Sequence, residues 1–255
     1  MLARLVAYLL LCASLVTPAR AADVPTVAAA SDLKFALEEI TSAFATATGK
    51  PVKLAFGSSG NFARQIRQGA PFEMFLSADE AFVEHLARNG FAGNSGDLYA
   101  IGRIVFFVPT GSPLEPDPAL ANLRAAIQGG RLRKFAIANP EHAPYGRAAR
   151  EALESAGLWT MIGRQLVLGE NVSQAAQFAT AGGADGGIFA YSLALSPSVA
   201  RLGRYVLIPE SMHEPLRQRM VLLKGAGPTA AEFYAFVKGP AARRILERYG
   251  FALPR

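Results

Sequence analysis

The sequence is poor in cysteine and histidine. Its 255 residues hold one Cys, Cys12, and three His, His85, His142 and His213. One thiol excludes an internal disulfide and a cysteine-based zinc site, and three isolated histidines give no metal-ligand spacing. Charge blocks are missing too. The 26 Lys and Arg and 20 Asp and Glu are scattered, and the densest group, Arg131-Leu132-Arg133-Lys134, reads as solvated surface. A nucleic-acid-binding stripe is thereby excluded. Beyond the first residues no apolar run is long enough to cross a membrane. There is no repeat of a 20–50-residue period. The phosphate-loop pattern G-x-x-x-x-G-K-[ST], G-x-G-x-x-G after a strand and the G-x-S-x-G elbow are also missing.

The N-terminus has a clear pattern. Arg4 precedes the apolar run Leu5–Val16, followed by Pro18 and Ala19-Arg20-Ala21. A basic start, a short apolar core and an A-x-A site predict a cleavable signal peptide, residues 1–21, and hence export to the periplasm. Cys12 lies inside this leader. Removal of Arg4 and Arg20 lowers the net charge from +6 to +4.

From residue 22 onward, short apolar runs alternate with amphipathic stretches. Strands are predicted over 24–31, 51–59, 72–79, 103–110, 134–140, 166–171, 185–194, 204–210 and 219–225. Helices follow over 32–49, 61–69, 80–90, near 119–130, over 145–157 and 172–183, and over 229–250 with a break at Gly239-Pro240. This alternation predicts an α/β fold with mixed, mostly parallel sheets flanked by helices. A Pro-rich loop (111–118) after the central strand and a further apolar strand near Tyr205 suggest two lobes. The chain would cross between them twice, with 22–105 and 214–255 in one lobe and 106–213 in the other.

In such sheets ligands sit beyond the carboxyl ends of strands, where helices begin. Four junctions share one chemistry: Ala30-Ser31-Asp32, Gly57-Ser58-Ser59-Gly60, Pro144-Tyr145-Gly146 and Glu170-Asn171-Val172-Ser173. Each offers small residues, hydroxyls or unpaired backbone N–H groups at a positive helix end. Converging, they would suit an oxyanion without any lysine or arginine. Serine and aspartate at helix starts also serve as ordinary caps, and the residues alone leave both readings open. Phe106, Phe107 and Phe189 are expected in the core, and Arg64 and Arg67 in water. A hydrolase using Ser58 or Ser59 has no matching elbow and few histidines to draw on.

In order along the chain, VAAASDLKFAL (27–37), FGSSGNFARQIRQGAP (56–71), LSAD (76–79), ANPEHAPYGRAAREAL (138–153), LGENVSQA (168–175) and VKGPAARRILERYGF (237–251) closely resemble the periplasmic molybdate-binding proteins of ABC importers. The resemblance implies a two-lobed class II periplasmic-binding fold, with a tetrahedral oxyanion in the cleft. It implies a non-enzyme without cofactor, a monomer that captures molybdate or tungstate and delivers it to an inner-membrane ABC permease. Carried over position by position, Ser31 binds through hydroxyl and N–H, Ser59 through its hydroxyl and Val172 through its N–H. Ser58 is a helper, and the glycines of FGSSG clear room for the anion. Some relatives place a ligand tyrosine where Ala190 stands. Tyr191 is next to it, on what alternation makes the opposite face of a strand, so Tyr145 is expected to supply the phenol. Asp32 is expected to cap its helix and offer only its N–H. Turned inward, it could instead accept a proton from hydrogen phosphate. A sulfate or phosphate receptor of the same fold is the alternative within this class.

Overall fold

The structure, a computed structural model, describes residues 24–254; the leader and Cys12 lie outside the described residues. Two five-stranded sheets organise the chain. The first contains β1 (Thr26–Ala30), β2 (Lys53–Gly57), β3 (Met74–Ser77), β4 (Asp97–Gly102) and, from the far end of the chain, β10 (Leu216–Leu222), in the order β2-β1-β3-β10-β4. The second contains β5 (Ile104–Pro109), β6 (Phe135–Ala138), β7 (Leu166–Gly169), β8 (Gly186–Ala190) and β9 (Gly203–Leu207), in the order β7-β6-β8-β5-β9. Both orders are the same pattern. Three parallel strands are followed by one antiparallel strand that enters from the other lobe, then by a last strand.

Helices cover both sheets: α1 (Lys34–Thr48), α2 (Ser59–Arg67), α3 (Glu80–Arg88), α4 (Ala121–Gln128), α5 (Pro144–Ser155), the short α6 (Trp159–Ile162), α7 (Val172–Thr180), the short α8 (Tyr191–Ala194) and α9 (Pro197–Ala200), α10 (Pro228–Lys238) and α11 (Pro240–Arg248). The 3.6-residue period of α1 turns Ala36, Leu37, Ile40 and Phe44 inward. Gly49, at φ 71°, ends that helix in the left-handed conformation that glycine adopts freely. Alternation along the strands of the first sheet divides its core into two layers. Val27, Ala29, Met74, Leu76 and Met220 face α1, α10 and α11. Ala28, Phe75 and Val221 face α2 and α3. Phe106, Phe107 and Phe189 are fully buried in the second lobe.

Three sequence expectations are corrected. β4 was not anticipated: its six residues, DLYAIG, form a weak pattern, and its burial comes from pairing with the distant β10. The predicted strand over 185–194 ends at Ala190, and Tyr191 opens α8. The first crossing falls at Arg103 rather than at 105/106, because Ile104 and Val105 already pair with Ala190 and Phe189 of the second sheet. The chain returns between Leu207 and Leu216. Arg103 fastens its crossing. Its guanidinium donates to the Gly250 carbonyl at 3.0 and 2.6 Å and lies 4.9 Å from the centre of the Tyr191 ring.

Phe44 is 1% exposed and meets Phe233 and Phe236 edge-on at 5.2 and 5.4 Å, tying α10 to α1. Phe44→Ala should cost about 3–5 kcal/mol, seen in urea unfolding as a lower midpoint with an unchanged slope.

Candidate functional site

The carboxyl ends of β1, β2 and β3 face those of β6 and β7 across the cleft, and a helix or turn leaves each of them. Ala30, Ser31 and Asp32; Gly57, Ser58 and Ser59; Ala143, Pro144 and Tyr145; and Val172 line one small cavity. All four predicted junctions therefore meet. Ala78, at the β3–α3 junction, is a fifth contributor that its apolar side chain did not announce. No lysine or arginine lines the cavity. Ser59, Tyr145 and Val172 stand in the first turns of α2, α5 and α7, where N–H groups lack intrahelical acceptors. Three helix ends of about half a positive charge each point at the space.

The hydroxyls are held in place. Ser59, fully buried, accepts the Ala78 N–H at 2.9 Å, so its own proton is free to donate. Ser31 donates to Asn171 Oδ1 at 3.0 Å and accepts the Ser173 N–H at 3.2 Å, joining the two lobes. Asn171 also caps α7, accepting from the Gln174 N–H. Ser58 meets His142 Nδ1 at 2.9 Å, and His142 Nε2 lies 3.6 Å from a Glu170 oxygen.

Asp32 departs from expectation. It caps no helix. Its side chain, 1% exposed, accepts the Tyr145 hydroxyl at 3.0 Å and Gln218 Nε2 at 2.7 Å, both on Oδ2. Oδ1 has no partner among the described residues. Burial without a cation pushes the carboxyl up to about 7, against the opposing pull of the Gln218 and Tyr145 hydrogen bonds and of the nearby Asp32 and Leu33 backbone N–H groups, which make no hydrogen bond of full geometry to Oδ1. The Tyr145 and Tyr99 phenols are held well above the usual tyrosine range, first by burial and then by the Asp32 charge. Gln218, fully buried on β10, was missed because a lone glutamine in an apolar strand carries no motif. Tyr145 Oη fits against Gly102, where a Cβ would come within 2.2 Å of it.

Two further expectations are refined. Tyr191 is remote from the cavity and packs on Arg103 and Tyr205; a helix start, not strand alternation, turns it away. The glycines of FGSSG also make room for protein, and Gly57 lines the cavity. A Cβ on Gly57 would meet the Phe62 ring at 2.9 Å, and one on Gly60 would meet the His142 carbonyl of the opposite lobe at 2.7 Å. Arg64 and Arg67 are exposed, as expected. Among the described residues no His, Cys, Asp and Glu side chains cluster as metal ligands would.

Two lobes of one topology, shut on a small polar cavity, define a solute-binding protein of the two-lobed kind. The chain belongs to the bacterial extracellular solute-binding protein family, whose model matches residues 25–252. It is 38% identical to the molybdate-binding protein ModA of Rhodobacter capsulatus, over 93% of this chain and 91% of the relative. It is 31% identical to ModA of Escherichia coli K12, over 89% and 88%. The solved periplasmic molybdate-binding protein of Azotobacter vinelandii superposes with a TM-score of 0.81 at 32% identity, covering 91% of this chain and all of that one.

The Asp32 carboxyl has a stability consequence. Its folded value of about 7 stands above the ordinary 3.8. In the closed form its contribution is therefore fully present below about pH 4 and is lost as the pH rises through about 7. At ~1.4 kcal/mol per pH unit the loss is at most ~4 kcal/mol. Asp32→Asn should remove this limb, so that the variant gains on the wild type between pH 5 and pH 8 in urea unfolding.

Proposed function

We propose that this chain captures molybdate between its lobes and delivers it to an inner-membrane ABC permease; tungstate, of the same shape and charge, is the second ligand. The observation that carries this reading is the cavity itself. It lies between the lobes, is free of lysine and arginine, and is lined by helix N-termini and by the Ser59 hydroxyl in a chain closely similar to molybdate-binding proteins. Ser31, Asp32, Ser59, Tyr145 and Val172 hold the anion. A lining of donors favours an anion that carries no proton of its own, and cavity size separates molybdate from smaller sulfate by bond length. The protein works in the periplasm as a monomer after cleavage behind Ala21, and it catalyses nothing.

Binding is coupled to closure. Ser31 to Asn171, Gly60 N–H to the His142 carbonyl at 3.0 Å, Asn61 to Glu170, and Tyr145 to Asp32 all cross between lobes. An anion that bridges the same helix ends adds differential affinity for the closed state.

One contact favours a second reading, a secreted serine hydrolase: the Ser58–His142–Glu170 chain. Its parts come from opposite lobes, so the serine meets the histidine only when the cleft is shut, and Ser58 is then 4% exposed. A fluorophosphonate probe should leave the protein unlabelled; labelling at Ser58 would favour the hydrolase.

Titration calorimetry with molybdate, tungstate, sulfate and phosphate tests the main reading. Tight binding of the first two is expected, and tight sulfate binding with no molybdate response would overturn it. Ser59→Ala should weaken binding about 10- to 100-fold, because the lost donor leaves an anion oxygen desolvated and unpaired.

A further inference from the structure

We infer that Asp32 is a proton-carrying member of the cavity, donating from Oδ1 to the bound oxyanion, so that capture of a dianion takes up one proton from solvent. The inference rests on the oxyanion reading above.

The directions of the surrounding hydrogen bonds carry the argument. The Tyr99 hydroxyl donates to Gln218 Oε1 at 2.7 Å. With its amide thus oriented, Gln218 Nε2 donates to Asp32 Oδ2 at 2.7 Å and to the Tyr145 hydroxyl oxygen at 3.0 Å. The Tyr145 proton goes to the same Oδ2 at 3.0 Å. Every proton in this chain points toward Asp32, and the chain offers no acceptor for a proton leaving it. Oδ2 already receives two donors, while Oδ1, buried and unpartnered, belongs to a residue that lines the cavity. A proton on this carboxyl is therefore assigned to Oδ1, the oxygen without a partner in a residue of the cavity wall. An ionised Oδ1 would face a dianion there with no cation to offset the repulsion.

The groups packed around Asp32 supply no such cation. Tyr145 comes from α5, Tyr99 from β4, Gln218 from β10, and Ser192 of α8 donates its hydroxyl to the Asp32 carbonyl. No charged residue of α7 lines the cavity. Lys34, at the start of α1, is exposed. Arg147 is engaged by Asp79 and Glu151, and Arg219 by Glu80. His142 reaches the other side of the cavity through Ser58. Burial that favours the neutral Asp32 acts in the same direction.

Molybdate is fully deprotonated at neutral pH, so the proton must come from solvent as the lobes close. In the open cleft, where Asp32 is better hydrated, the carboxyl is ionised at neutral pH; in the complex it is neutral. Linkage then makes affinity fall as pH rises between those two titrations, with a slope approaching tenfold per pH unit.

The test is calorimetric titration of the mature protein with sodium molybdate from pH 6 to 9, in pairs of buffers with different ionisation heats. The expected result is a Kd that rises with pH and uptake approaching one proton per anion. Asp32→Asn keeps an acceptor for Tyr145 and Gln218 and presents an N–H₂ where Oδ1 stands. It should bind with a nearly pH-independent Kd, take up no proton, and exceed the wild type at least tenfold at pH 9. Wild-type binding without pH dependence or proton uptake would overturn the inference whether or not the variant folds. So would an Asp32→Asn protein that keeps the wild-type slope, which would place the proton on a group other than Asp32. Molybdate binding absent at every pH from both folded proteins would instead remove the oxyanion reading, and the proton with it.

Discussion

The hydrogen bond from Tyr145 to Asp32 crosses from one lobe to the other at a point where water has been removed, and the cleft is arranged around it. Asp32 stands on the first turn after β1, Tyr145 on the first turn of α5, and Gln218 reaches both from β10. A buried carboxyl without a cation is costly unless donors surround it or a proton neutralises it. Here both conditions bear on one residue. The donors fix the phenol against Gly102, whose missing side chain is what admits it. The remaining carboxyl oxygen has no partner among the described residues.

The repeated sheet order explains why such a point exists. In each lobe three parallel strands send their carboxyl ends toward the cleft, and a strand from the opposite lobe pairs beside the third. The exchange at Arg103 and between Leu207 and Leu216 leaves the first and last thirds of the chain sharing one sheet, so the two lobes can turn against each other without either unfolding. Closure brings helix starts face to face. Their N–H groups, unpaired within their own helices, supply positive potential without a side-chain charge. A cavity built this way attracts an anion yet lacks the long flexible cations that would accept anions of many sizes.

Much of this was legible in the chain order. The α/β alternation, the four helix-start junctions and the buried Phe106, Phe107 and Phe189 follow from patterns a few residues long, because local periodicity and capping chemistry are local physics. β4 was not legible, since its six residues become a strand by pairing with β10 more than a hundred residues away. Tyr191 was read as a strand residue facing outward. It begins a short helix instead, and only its packing on Arg103 shows where the ring goes. Nor was it legible that Gly60 makes room for the His142 backbone, a neighbour that exists only once the lobes meet.

The sequence by itself determined the class of fold and the kind of group offered at each strand end, because strand–helix junctions with small residues and hydroxyls encode their own local geometry. The resemblance of ordered segments, not any single motif, pointed to molybdate. Only the tertiary structure decided how the carboxyl of Asp32 is used. Nothing in Ser31-Asp32-Leu33 distinguishes a capping aspartate from one turned inward. The choice is made by Tyr145 and Gln218, which lie 113 and 186 residues further along the chain. They reach Asp32 because two sheets of the same order close on one another.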